Sequence, residues 1–119
     1  MKALLLSILL LPVAALAQAP VIQISGANFR PLPLAVSAPL VQGEEAKAPA
    51  GKVDETLLYD LRASGLFQML DRASFLADAK EGVTAGSIQF ARWADVGAES
   101  LVKYTVAQEN GELRVEARV

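Results

Sequence analysis

The sequence predicts an α/β fold: a mixed sheet containing a βαβ unit, with two helices packed on it and a C-terminal β-hairpin. Three observations carry that expectation. In Val53 to Arg72 (VDETLLYDLRASGLFQMLDR), Val53, Leu57, Leu58 and Leu61 recur at helical spacing, Gly65 can supply the positive φ that ends a helix, and Leu66 to Leu70 form a short apolar run. Ahead of that unit, Leu32 to Leu40 (LPLAVSAPL) is almost unbroken in its apolar character, which suits a strand covered on both faces. Near the C-terminal end, Asn110-Gly111, the preferred pair for a type I′ turn, separates two segments of alternating hydrophobicity.

Taken in order, Met1 to Ala17 has the layout of a secretory leader. Lys2 provides the positive n-region, Leu4 to Leu11 the apolar core, and Ala15-Leu16-Ala17 the small-x-small cleavage site. Pro12 interrupts the apolar core, which is also shorter than the ~20 residues a spanning helix needs. The chain has no cysteine, so nothing supports a lipid anchor. Residues 18–29 then read as an amino-terminal arm or edge strand, with Val21-Ile22-Gln23-Ile24-Ser25 as a short β segment and Gly26 to Asn28 as a break.

Pro31, Pro33 and Pro39 bracket a usable strand over Leu34 to Ala38, because proline cannot donate to a ladder. Gln42 to Lys52 is polar, with Gly, Ala and Pro, and reads as a surface loop. The helix is expected to start between Pro49 and Val53. Asp54 and Glu55 then fall in its first turn and Arg62 in its last, the sign order that the helix dipole favours. Strand, helix and returning strand make a βαβ unit whose two strands run parallel. Asp71-Arg72 closes the returning strand, and within Ala73 to Gly86 the residues Phe75 and Leu76 are expected to pack back on the domain. A short second helix is expected between Ile88 and Val96, closed by Gly97.

The Asn110-Gly111 turn sets a register that places Val106 opposite Val115, Tyr104 opposite Ala117 and Val102 opposite Val119. These share a face expected to be buried. Lys103, Thr105, Arg114, Glu116 and Arg118 share the other, expected to be mostly solvated. The chain stops at Val119 in mid-strand, the appearance of a fragment truncated at its C-terminal end.

Composition narrows the chemistry. Loss of Lys2 with the leader leaves 10 basic against 13 acidic side chains, so nothing favours nucleic acid or an anionic membrane as partner. Histidine and cysteine are both absent, which excludes Ser-His-Asp and Cys-His nucleophile systems and the usual structural zinc sites. Asp54, Glu55 and Asp60 are the nearest carboxylate cluster, read here as a solvated helix face. No phosphate-binding glycine motif occurs among Gly82, Gly86, Gly97 and Gly111, and Trp93 on an apolar helical face reads as core.

The segment DLRASGLFQMLDR resembles the D-L-R-x-S-G-x-F-x-x-L-D-R signature of the TolB amino-terminal domain family, matching at Asp60, Leu61, Arg62, Ser64, Gly65, Phe67, Leu70, Asp71 and Arg72. Arg30-Pro31, the Trp-containing segment Gln89 to Gly97 and the Asn110-Gly111 hairpin stand where the family has them, and Ile22-Gln23-Ile24-Ser25 resembles its amino-terminal Ile-x-Ile-Thr. The resemblance implies an anticodon-binding-domain-like α/β domain over residues 30–119, followed in the family by a β-propeller. It implies no catalysis and no cofactor or metal. It further implies a periplasmic adaptor of the Tol-Pal system that supports outer-membrane integrity and cell division. A TolA-like inner-membrane protein would engage Val21, Ile22, Gln23, Ile24 and Ser25, and Pal would bind only if a propeller follows. Neither nucleic acid nor a small-molecule substrate is expected. The alternative is a structural module of another exported envelope or secretion assembly protein.

Overall fold

In the computed structural model, which describes residues 28–119, the sheet is assembled around β4 (Ser100–Glu109). β1 (Leu32–Val36) pairs parallel with β4 in the register Leu34↔Ser100 to Val36↔Val102, and β2 (Leu40–Gln42) follows, Leu40↔Thr105 to Gln42↔Ala107. The step from Val36 to Leu40 is one residue longer than the matching step from Val102 to Thr105. β1 and β2 therefore behave as one strand broken at Ser37 to Pro39 by a bulge-like insertion. β3 (Phe67–Met69) pairs parallel with β1, and β5 (Glu112–Arg118) pairs antiparallel with β4.

The first strand lies two residues ahead of its expected place and includes Pro33, between β3 and β4. This is tolerated because the N–H that Pro33 lacks would point to the β4 side at a level where β4 has not yet begun. Its carbonyl still accepts from the Glu99 N–H at 3.0 Å.

α1 (Lys47–Ala63) starts earlier than the sequence predicts and takes over most of the expected loop, the remainder forming β2 and a 3₁₀ turn at Glu44–Ala46. Pro49 falls in the first turn of α1, where backbone N–H groups have no intrahelical partner, so it does not break the helix. Asp54 consequently sits well inside α1, and no acidic residue occupies the first turn. Ala46 and Ala50 are buried against Leu34, Val36, Val102, Tyr104 and Val106, with Val53, Leu57, Leu58 and Leu61 packed around them. The helix ends where Gly65 takes φ 68.

On the opposite sheet face lies α2 (Phe90–Asp95), with Trp93 buried and edge-on to Phe75 at 4.9 Å between ring centroids. Leu76, expected to pack back, is exposed. The hairpin turn has positive φ at both Asn110 and Gly111, and Val106↔Val115 and Tyr104↔Ala117 pair as the turn chemistry predicts. Pairing ends at Lys103↔Arg118, so Val119 does not face Val102. The expected division of faces fails in two places. Lys103 is buried beneath the α2 side, and Val115 is exposed because α1 does not extend over β5.

Candidate functional site

The residues singled out for partner binding, Val21, Ile22, Gln23, Ile24 and Ser25, lie outside the described residues. What is described is the root of that arm: Phe29 is exposed, and Arg30 donates to Glu99 at 2.6 Å across the start of β4. Both side chains of that pair are largely solvated, so its contribution is at most ~1 kcal/mol.

Within the domain, polar chemistry concentrates in two clusters, one on each side of β4. The first joins α1 to the sheet. Asp54 receives two hydrogen bonds from Arg72, at 2.7 and 2.6 Å, and a third from the Tyr104 hydroxyl. Arg72 also donates from Nε to the Val36 carbonyl at 2.9 Å and from its terminal nitrogen to the Ser37 carbonyl at 3.0 Å. The first carbonyl ends β1 and the second belongs to the break between β1 and β2. The planar guanidinium makes these four bonds at once, two of them to one carboxylate; an ammonium has only three donors and no fork.

The electrostatics follow from these contacts. The Arg72 hydrogen bonds, reinforced by the Tyr104 hydroxyl, hold the Asp54 carboxyl below the usual carboxylate range despite partial burial. Arg72 is held protonated chiefly by Asp54. Burial, and then the facing Asp54 carboxylate, push the Tyr104 phenol above its ordinary value.

The second cluster lies under α2. Glu81 accepts from Lys103 Nζ at 2.7 Å, from Trp93 Nε1 at 2.9 Å and from the Gln89 N–H at 2.9 Å, and its carbonyl takes a further bond from Lys103 at 3.0 Å. Lys103 also stands 5.5 Å from the centre of the Trp93 ring. Burial alone would raise the Glu81 carboxyl; the bonds from Lys103, Gln89 and Trp93 outweigh it and leave the group below its usual range.

Both clusters are complete in themselves. No buried side-chain polar atom among the described residues lacks a partner, and no group of His, Asp or Glu among them could hold a metal ion. Neither cluster presents a free nucleophile or an acid-base pair to solvent. The arrangement ties the loop after β3, the loop before α2 and helix α1 to one strand.

Sequence reasoning did not find either cluster. The sequence places Asp54 on a solvated helix face, in the first turn, and Arg72 at the close of the returning strand. Asp71 does take a capping role, its side chain accepting from the Ala73 N–H. A signal for the second cluster was present: Lys103 interrupts the apolar strand Leu101 to Val106, and an indole N–H placed in a core needs an acceptor.

The TolB amino-terminal domain model matches residues 20–119. A protein named Tol-Pal system protein TolB from Myxococcus xanthus (strain DK1622) is 64% identical over 120 residues, covering 100% of this chain and 28% of its own length. The protein of the same name from Anaeromyxobacter dehalogenans (strain 2CP-C) is 48% identical over 106 residues, covering 88% of the chain and 24% of its own length. A third of that name, from Syntrophotalea carbinolica, is 36% identical over 80 residues, covering 66% of the chain and 19% of its own length. The chain thus spans less than a third of the length of these relatives. The match runs from the arm through the signature to the hairpin, and the chain belongs to the TolB amino-terminal domain family.

Proposed function

We propose that this chain supplies the amino-terminal adaptor module of a TolB-like envelope protein, exported by a leader over residues 1–17, and that it acts non-enzymatically in the periplasm. The observation that carries the reading is the likeness to Tol-Pal system proteins along the whole chain, at 64% identity for the Myxococcus protein. In this reading Val21 to Ser25 engages a TolA-like inner-membrane protein, in support of outer-membrane integrity and cell division. Ile22 and Ile24 alternate with polar residues, and an extended segment of that pattern can add to a free sheet edge, with backbone hydrogen bonds giving affinity. Residues 30–119 act as the rigid body that carries the arm, and contact with Pal belongs to a propeller.

The test is a pull-down with the C-terminal domain of a TolA-like protein, comparing the exported chain with a form lacking Gln18 to Ser25. Binding should be abolished while Trp93 emission and far-UV circular dichroism stay unchanged. Undiminished binding by the deleted form refutes the arm assignment.

A further inference from the structure

The crossover from β3 to β4 is fastened to the rest of the domain at its two ends and at one point between. At its start Arg72 bonds Val36, Ser37 and Asp54, and at its end the Glu99 N–H donates to the Pro33 carbonyl at 3.0 Å. From residue 76 to residue 97, two hydrogen bonds reach the sheet among the described residues. Lys103 Nζ donates both, one to the Glu81 carboxylate at 2.7 Å and one to the Glu81 carbonyl at 3.0 Å. The other bonds of that stretch are internal. Arg92 donates to the Leu76 carbonyl, and the N–H groups of Ser87, Arg92 and Gly97 donate to carbonyls three residues back.

Packing repeats this division. The core under α1 is built from α1, the 3₁₀ turn before it, β1, β3 and β4, and no residue of the crossover belongs to it. Within residues 76–97 the buried residues are Glu81 and Trp93. They bond each other at 2.9 Å, and both meet the same ammonium, since Lys103 stands 5.5 Å from the centre of the Trp93 ring.

We propose that residues 76–97 open as one unit, latched by Glu81, while α1 and the sheet stay folded. Proteins open in contiguous units below the global unfolding free energy where few buried apolar contacts hold a segment. Here a polar lock takes the place of such contacts. On opening, the Glu81 carboxylate and the Lys103 ammonium both regain water, which offsets much of their lost pairing. The opened state uncovers Lys103 and Ala35 on the sheet face away from α1, because Ala35 alternates with Leu34 and Val36 of the α1 core. This behaviour belongs to the domain itself and does not depend on the partner the arm engages.

The test is native-state hydrogen exchange on the chain recovered after export, under conditions where rates report opening equilibria. In the wild type the amides of Glu81, Ser87, Gln89, Arg92 and Gly97, each bonded inside the crossover, should share one opening free energy. They should exchange at least about 100-fold faster than the slowest amides of α1. Leu34→Ala weakens only the α1 core. It should speed the slowest α1 amides about 100-fold and leave the crossover amides within about threefold of wild type.

Two variants address the latch. Glu81→Gln should speed the crossover amides about 100-fold, and Trp93→Phe, which removes one donor to Glu81, about tenfold. The wild-type and Leu34→Ala rates decide whether the unit is separate even where Glu81→Gln does not fold. Crossover amides that exchange within tenfold of the slowest α1 amides overturn the proposal. So does a Leu34→Ala variant that speeds both sets equally, or a crossover whose rates neither latch variant raises.

Discussion

Arg72 meets Val36 with its side chain at the place where its backbone would otherwise have met it. Leu34 pairs with Met69, and the Leu70 N–H donates to the Leu34 carbonyl at 3.0 Å. The next step of that parallel ladder would bring the Arg72 N–H to the Val36 carbonyl. The chain instead turns into a 3₁₀ segment at Arg72–Ser74, and Nε of Arg72 supplies the bond at 2.9 Å. The same guanidinium then reaches Ser37 and Asp54, linking β1, the strand break and α1.

Arg72→Lys keeps the charge and loses the fork. It should destabilise the domain by about 2 kcal/mol, measured as a lowered urea midpoint with unchanged m-value. Tyr104→Phe leaves the Arg72 bonds to Asp54 in place, removes one, and should cost about 1 kcal/mol in the same assay.

The stability profile should fall on the acid side. Asp54 and Glu81 both have folded-state values below the usual carboxylate range, so the unfolded chain takes up protons first on acidification. Their contribution is complete above about pH 5 and is lost as pH falls through the folded values. Asp54→Asn should lower stability at neutral pH and flatten the acid limb of a plot of unfolding free energy against pH. An acid limb as steep as in the wild type would argue against this account.

The Glu81 and Lys103 side chains are almost fully buried, so losing one partner strands the other's charge. Lys103→Met and Glu81→Gln should each cost about 3 kcal/mol, and the double variant should cost less than the two together by about 1–3 kcal/mol. Denaturant unfolding followed by Trp93 emission measures both the singles and the cycle, since the indole donates to Glu81.

Burial separates two leucines that look alike in the sequence. Leu34→Ala should cost about 3 kcal/mol, because Leu34 is among the largest fully buried side chains; Leu76→Ala should stay within about 0.5 kcal/mol, because Leu76 is 56% exposed. Equal losses in thermal unfolding would contradict the packing described here.

Much of the fold was legible because it is written in short-range chemistry. The core-facing positions of α1 at Val53, Leu57, Leu58 and Leu61, its stop at Gly65, the return strand and the hairpin register about Asn110-Gly111 each depend on residues a few positions apart. The start of α1 was misread because Pro49 looks like a boundary, although the first helical turn accommodates it. That error hid Asp54, which then counted as a dipole charge on the surface.

The sequence by itself determined the apolar positions of α1 and its stop, the return strand, the hairpin turn and the family to which the signature belongs, but not β2. Only the tertiary structure decided what the charged residues do. Asp54 and Arg72 lie 18 positions apart and Glu81 and Lys103 22 apart, and no local pattern links members of such pairs. Whether a strand face is buried depends likewise on what packs over it. α2 and the loop before it cover Lys103, α1 stops short of Val115, and alternation along β4 and β5 could indicate two faces without saying which would meet water.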